Sequence, residues 1–111
     1  MANGLLGKAM AQANQNTTVA QVSANAAYAT HNILLVHTNM DGTDAKVQIY
    51  LSTSTTPGPV DMIANKIIPP GGDLNISCEL AAAGENFIVF SNNAEIAIRV
   101  TGLEAIPVAS T

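Results

Sequence analysis

From residue 17 onward apolar and polar residues alternate in short runs, the period of two that marks β-strands. Residues 17–22 predict a short first strand with Val19 and Gln21 on one face, and the small residues 23–27 predict a connection. Residues 28–39 are apolar in their middle, from Ile33 to Val36, which predicts a central strand buried on both faces. Met40-Asp41-Gly42-Thr43-Asp44 reads as a turn in which Asp-Gly supplies the positive φ of a tight hairpin. Residues 46–52 place Val47, Ile49 and Leu51 on one face and Lys46, Gln48, Tyr50 and Ser52 on the other. A polar loop runs from Ser52 to Pro59, and a strand at 63–68 is stopped by Pro69-Pro70-Gly71-Gly72. Leu74, Ile76, Cys78 and Leu80 then alternate with Asp73, Asn75, Ser77 and Glu79. In 86–91 Phe87 and Val89 oppose Ile88 and Phe90, and Asn92-Asn93 makes the next tight turn. Ile96, Ile98 and Val100 alternate with Glu95, Ala97, Arg99 and Thr101 until Gly102 ends the run.

About seven strands with turn chemistry every ~8–12 residues predict an all-β chain, a single antiparallel β-sandwich or barrel. No window carries a helical stripe. Residues 1–16 lack the alternation; from Ala9 to Asn16 they are Ala, Gln and Asn with one Met. They predict an extended N-terminal arm outside a sandwich domain at 17–104, with 105–111 as an extended C-terminal tail. The arm is expected to lie on a partner chain; the alternative is that it folds back on its own domain.

Composition narrows the class. A chain of 111 residues has room for one domain. Ile, Leu, Val and Phe make up about a quarter of it, above the roughly 20% below which chains stay disordered. Only 11% of residues are charged, against about 25% on average, so Asn, Thr, Ser and Gln supply the polar cover. That surface suits packing against other chains. With four basic residues (Lys8, Lys46, Lys66 and Arg99) and a net charge of −4, the chain has no electrostatic footprint for nucleic acid. The apolar runs fall far short of the ~20 residues of a membrane span, and the start lacks the apolar stretch of a secretory signal. The single cysteine, Cys78, excludes an intramolecular disulfide and a cysteine-based zinc site. Synthesis in a reducing cytoplasm is expected.

Little in the chain points to chemistry. No phosphate-cradling glycine motif occurs. Cys78 falls in register with Leu74, Ile76 and Leu80 and reads as an inert core thiol beside Glu79. His31 and His37 share a strand face roughly 20 Å apart at ~3.3 Å per residue, too far to hold one metal ion within a chain. Asp41-Gly42-Thr43-Asp44 lacks the spacing and closing Glu of a calcium loop, and Asp61 sits alone in a loop. Asn16-Thr17-Thr18 and Asn75-Ile76-Ser77 match glycosylation acceptors, which carry meaning only in a secreted chain. No catalytic, cofactor or metal residue is assigned, and no enzymatic activity is expected. The residues expected to bind a partner are Leu5, Leu6, Met10, Gln12, Asn14 and Asn16 in the arm, Thr55 and Pro57 in the uncharged loop, and Ile106 and Val108 in the tail. The tail is extended by Pro107 and suited to strand addition.

The phrases Ile68-Pro69-Pro70-Gly71-Gly72-Asp73-Leu74, Leu80-Ala81-Ala82-Ala83-Gly84-Glu85, Phe87-Ile88-Val89-Phe90-Ser91 and Ile96-Ala97-Ile98-Arg99-Val100, closed by Gly102-Leu103-Glu104, occur in that order. In this the chain resembles small β-sandwich virion proteins of tailed bacteriophages. Its start, a polar arm, Thr17-Thr18-Val19 and a long strand broken at His37-Thr38-Asn39, is similar to theirs. The layout covers most of the chain and the specific wording its last third; the Asn/Gln-rich arm and the low charge depart from the pattern. The resemblance implies a non-enzymatic structural part of a phage particle, located in the virion. The first expectation is a capsid decoration (cement) protein that forms a homo-oligomer, a trimer by preference, on the major capsid protein or another virion protein. A neck, tail or fibre-attachment protein is the alternative. A carbohydrate- or receptor-binding module is another, weakened by the absence of Trp and the few aromatic residues.

Overall fold

A computed structural model of the chain describes residues 3–22, 28–54, 56–81 and 84–105. Eight strands follow one another: β1 (Asn3–Met10), β2 (Gln15–Gln21), β3 (Tyr28–His37), β4 (Ala45–Ser52), β5 (Met62–Ile68), β6 (Asp73–Ala81), β7 (Asn86–Ser91) and β8 (Ile96–Ala105). A 3₁₀ turn at Pro59–Asp61 precedes β5. The strands form two four-stranded antiparallel sheets, sheet A in the order β1-β8-β3-β6 and sheet B in the order β2-β7-β4-β5.

This order has a simple origin. β1 pairs with β8, β2 with β7, β3 with β6 and β4 with β5, the rungs of one long antiparallel ribbon. Rolled up, the ribbon gains two further ladders, β3 with β8 and β4 with β7. The result is an eight-stranded jelly roll, the double Greek key of stacked antiparallel sheets. The connections β1–β2, β3–β4, β5–β6 and β7–β8 meet at one end of the sandwich, where Thr38 N–H donates to the Glu95 carbonyl (2.9 Å) and His37 N–H to that of Gly72 (2.9 Å). The others meet at the opposite end, where Val22 N–H reaches the Glu85 carbonyl (2.8 Å).

Alternation puts the aliphatic residues between the sheets. Ile33 and Leu35 of β3 and Ile96, Ile98 and Val100 of β8 face Val47, Ile49 and Leu51 of β4 and Phe87 and Val89 of β7, all buried. Ala11 and Val22 plug the two ends of this layer. Burial at ~25 cal/mol per Å² of apolar surface makes it the main source of stability. The expected faces of β4 and β8 are those observed. In β3, by contrast, Leu34 and Val36 are only half-buried, because sheet A packs against another layer on one side alone.

Two further expectations are corrected. Residues 3–10 are not a detached arm: β1 lies along β8 with Asn3 opposite Leu103 and Met10 opposite Ala97. Its inward residues Gly7 and Ala9, and Ala11 just beyond its end, are too small to announce a strand but small enough to let β2 approach. A Cβ on Gly7 would overlap the Val19 carbonyl oxygen, at the point where the register of β1 shifts between Leu5 and Gly7 and that of β2 between Thr18 and Ala20. The two irregularities seat against each other. The Asp41-Gly42 turn, in turn, makes no hairpin, because β3 and β4 belong to different sheets. The positive φ values fall at Asn14 (59°), Gly71 (73°) and Gly84 (81°) instead. Gly71 follows Pro70 in a turn closed by Gly72 N–H to the Pro69 carbonyl (2.9 Å), the arrangement a type II turn requires.

The edge strand β5 sets Lys66 opposite the buried Val47, on its core-facing side, yet exposed.

Gly7→Ala is expected to lower unfolding free energy by about 1–3 kcal/mol through overpacking. Gly58→Ala, where a Cβ meets nothing within 4 Å, is expected to change it by less than ~0.5 kcal/mol; urea titrations check both. Deleting residues 1–14 removes β1 and is expected to abolish cooperative unfolding in the same assay.

Candidate interaction surfaces

The end of the sandwich that carries the β3–β4 loop is held by amides, hydroxyls and one histidine. His37, at the end of β3, is 2% exposed. Its Nε2 lies 2.7 Å from the Thr43 carbonyl oxygen, and its Nδ1 accepts the Asn39 N–H at 3.3 Å. A carbonyl can only accept and an N–H only donate, so the ring carries its proton on Nε2. Asn39 Oδ1 takes the Asp41 N–H (2.9 Å), and Asn93 Nδ2 reaches the Thr43 carbonyl (3.4 Å). Asn93 Oδ1 accepts from Glu95 N–H (2.7 Å) while Ser91 Oγ donates to the Asn93 carbonyl (2.8 Å). A Cβ on Gly42 would come within 3.0 Å of His37 Cε1, so glycine is there for close approach. The loop 38–44 is thus pinned from beneath while Met40 at its tip remains 82% exposed, with Asp41 and Asp44 exposed beside it.

The outer face of sheet A carries an apolar groove of about 650 Å³ across β1, β8 and β3. Met10, Ala97, Leu34 and Val36 form its floor, with Lys8 and Arg99 at its margin. Met10 is 50% exposed. Lys8 and Arg99 stand directly opposite each other in the ladder, as do Met10 and Ala97. A like-charge pair in that position destabilises a sheet by a few tenths to about 1 kcal/mol. Asp73, opposite Val36, is the acidic residue nearest in register on this face. Among the described residues no ion pair joins Lys8 or Arg99 to a carboxylate.

A second groove, of about 470 Å³, lies on the outer face of sheet B between Phe90, Gln48, Asn65, Ile67, Lys46 and Asn92. Two of its acceptors are already taken: Asn92 Oδ1 by Lys46 N–H (2.9 Å) and Gln48 Oε1 by the Tyr50 hydroxyl (2.7 Å). Lys8, Lys46 and Arg99 thus stand on the outer sheet faces, while Lys66, opposite Val47, lies at the rim of the second groove. The described acidic side chains, Asp41, Asp44, Asp61, Asp73, Glu85 and Glu95, lie in connections or at the first residue of a strand.

The residues expected to bind partners are dispersed. Met10 lies in the sheet A groove. Gln12 and Asn14 are exposed in the β1–β2 turn, and Asn16 is exposed in β2 opposite Phe90. Leu5 and Leu6 belong to β1 rather than to a free arm. Pro57 is half-buried, while Thr55, Ile106 and Val108 lie outside the described residues. The sequence reading missed Lys8, Leu34, Val36, Ala97 and Arg99; the available signal was the apolar pair Leu34 and Val36 standing out of phase with Ile33 and Leu35. Cys78 is in β6 and His31 in β3. Among the described residues no three His, Cys, Asp or Glu side chains converge on a common point.

No protein-family model matches the chain, and no curated protein matches it. Among solved structures, two crystal structures of a pentameric capsid protein isolated from metagenomic phage sequences are similar at 17% identity and a TM-score of 0.44. The match covers 92% of this chain and 62% and 64% of theirs. A Podospora anserina GH26-CBM35 β-(1,4)-mannanase is similar at 17% identity and a TM-score of 0.43, over 96% of this chain and 27% of that one. The chain thus spans less than two thirds of the length of each.

His37→Phe keeps the ring volume but leaves the Asn39 N–H without its acceptor. The expected cost is about 1–3 kcal/mol, with faster limited proteolysis in 38–44; unfolding curves and the mass of the first cleavage products check it.

Proposed function

We propose that the chain is a non-enzymatic structural component of a bacteriophage particle, and within that class a capsid decoration protein that oligomerises and stabilises the shell. The observation that carries this reading is the outer face of sheet A, where a stable sandwich leaves an apolar groove open and sets two cations side by side at its margin. Exposed apolar surface of this kind, rimmed by polar groups, marks contact surfaces. The phage context comes from the sequence resemblance, and the jelly roll is compatible with it, being a fold of capsid domains as well as of lectins and cupins.

The test is attachment. Met10→Glu and Arg99→Glu alter exposed side chains and are expected to leave the unfolding free energy within about 1 kcal/mol of the parent. Both are expected to abolish co-sedimentation with particles. Variants that bind at parental occupancy would refute the reading. Cryo-electron microscopy of intact particles separates its finer versions: copies over the whole shell indicate decoration, whereas copies confined to the neck or baseplate indicate tail machinery.

One observation favours a second reading, a carbohydrate-binding module: Phe90, half-buried, lines the sheet B groove among Gln48, Asn65 and Asn92. A glycan array probes it. A saccharide whose binding is lost on Phe90→Ala would support this reading, and a blank array would remove it.

A further inference from the structure

The β3–β4 loop and the sheet A groove are complementary in two independent ways. The groove has an apolar floor and a cationic margin. The loop has an apolar tip, Met40, 82% exposed, flanked by the exposed carboxylates of Asp41 and Asp44. Neither feature is explained by the fold of one chain. A Cβ on Gly71 of the β5–β6 turn would lie 3.1 Å from Met40 Cγ, yet Met40 stays outside the core. The backbone beneath it is fixed by His37, Asn39 and Asn93, so docking would forfeit little loop entropy. Lys8 and Arg99 face each other across the ladder at an energetic cost, which an anion arriving from outside would relieve. Met40 lies beside the β5–β6 turn and does not line the groove of its own chain, which leaves that groove open to the loop of another copy.

We propose that the occupant of the sheet A groove is the β3–β4 loop of a second copy of this chain. Met40 enters against Met10, Ala97 and Val36, and Asp41 and Asp44 neutralise Arg99 and Lys8. Because the surfaces that meet are different, the contact is head-to-tail, and repetition of it closes a ring where the rotation between successive copies completes a full turn. This rests on the reading of the chain as an assembly module and names what its contact face holds.

The experiment is sedimentation velocity of the purified full chain across a concentration series, at low and high salt, with thermal unfolding of every variant as a control. The parent is expected to form a closed oligomer that weakens with salt. Met40→Arg alone, Lys8→Glu with Arg99→Glu, and Asp41→Lys with Asp44→Lys are each expected to weaken association roughly 10–100-fold. Combining the four charge reversals is expected to restore the oligomer. All five positions are exposed, so folded variants are expected throughout. A parent that stays monomeric at every concentration overturns the proposal, as does a folded fourfold variant that stays monomeric. A Met40→Arg variant that assembles like the parent also overturns it, because the groove would then be packing against another groove. The two readings can fail separately. Rings that never bind particles would refute the particle role and leave the loop-in-groove contact standing. A monomeric chain that nevertheless coats particles would do the reverse.

Discussion

Everything in this fold depends on two strands that come last among those described and sit second in each sheet. Without β8, sheet A is β1 on one side and the β3–β6 pair on the other; without β7, sheet B is β2 and the β4–β5 pair. The stretch from Asn86 to Ala105 supplies one inner strand to each sheet, and it contributes Phe87, Val89, Ile96, Ile98 and Val100 to the interior. The backbone ladders and the apolar layer are therefore closed by the same twenty-residue segment. Ladders that join residue 3 to residue 103 demand that a large loop be closed before any contact rewards it, which places the chain among slow-folding topologies.

The low charge also has a structural meaning. Asn39, Asn92, Asn93, Ser52, Ser54 and Ser91 are the acceptors and donors that satisfy turn backbone between strands. Short polar side chains do at these ends what helix caps do elsewhere, since each bends back to an N–H one or two residues away or to a neighbouring turn. Asn86 does the same from within, its Nδ2 donating to the Ser52 carbonyl at 3.1 Å. Among the described side chains, Lys8, Lys46 and Arg99 stand on the outer sheet faces, whereas Asp41, Asp44, Asp61, Glu85 and Glu95 lie in connections.

How much of this was legible in the sequence follows from where side chains carry the signal. In β4, and in β8 from Ile96 to Val100, the alternation of large aliphatic residues with polar ones is the burial pattern itself, so those faces were readable; β8 nevertheless runs past Gly102 to Ala105, and β7 is buried on nearly every residue. β1 was illegible because it turns only small residues such as Gly7 and Ala9 inward and its place is set by backbone pairing to a strand some ninety residues away. The pairing of ribbon rungs, and hence the assignment of β3 and β4 to different sheets, is likewise absent from local pattern. It misled the reading of Asp41-Gly42 as a hairpin turn. The groove on sheet A escaped because its floor combines residues from β1, β3 and β8, each unremarkable alone.

Lys66 has a consequence for how such a chain can associate. It stands on the inward side of β5, beside Val47, at the open margin of sheet B. A foreign strand hydrogen-bonding along that margin would have to draw an ammonium group toward an oily interior, which strongly disfavours it. The margin along β5 is thereby closed to strand addition from another polypeptide, and contacts there have to be made by side chains.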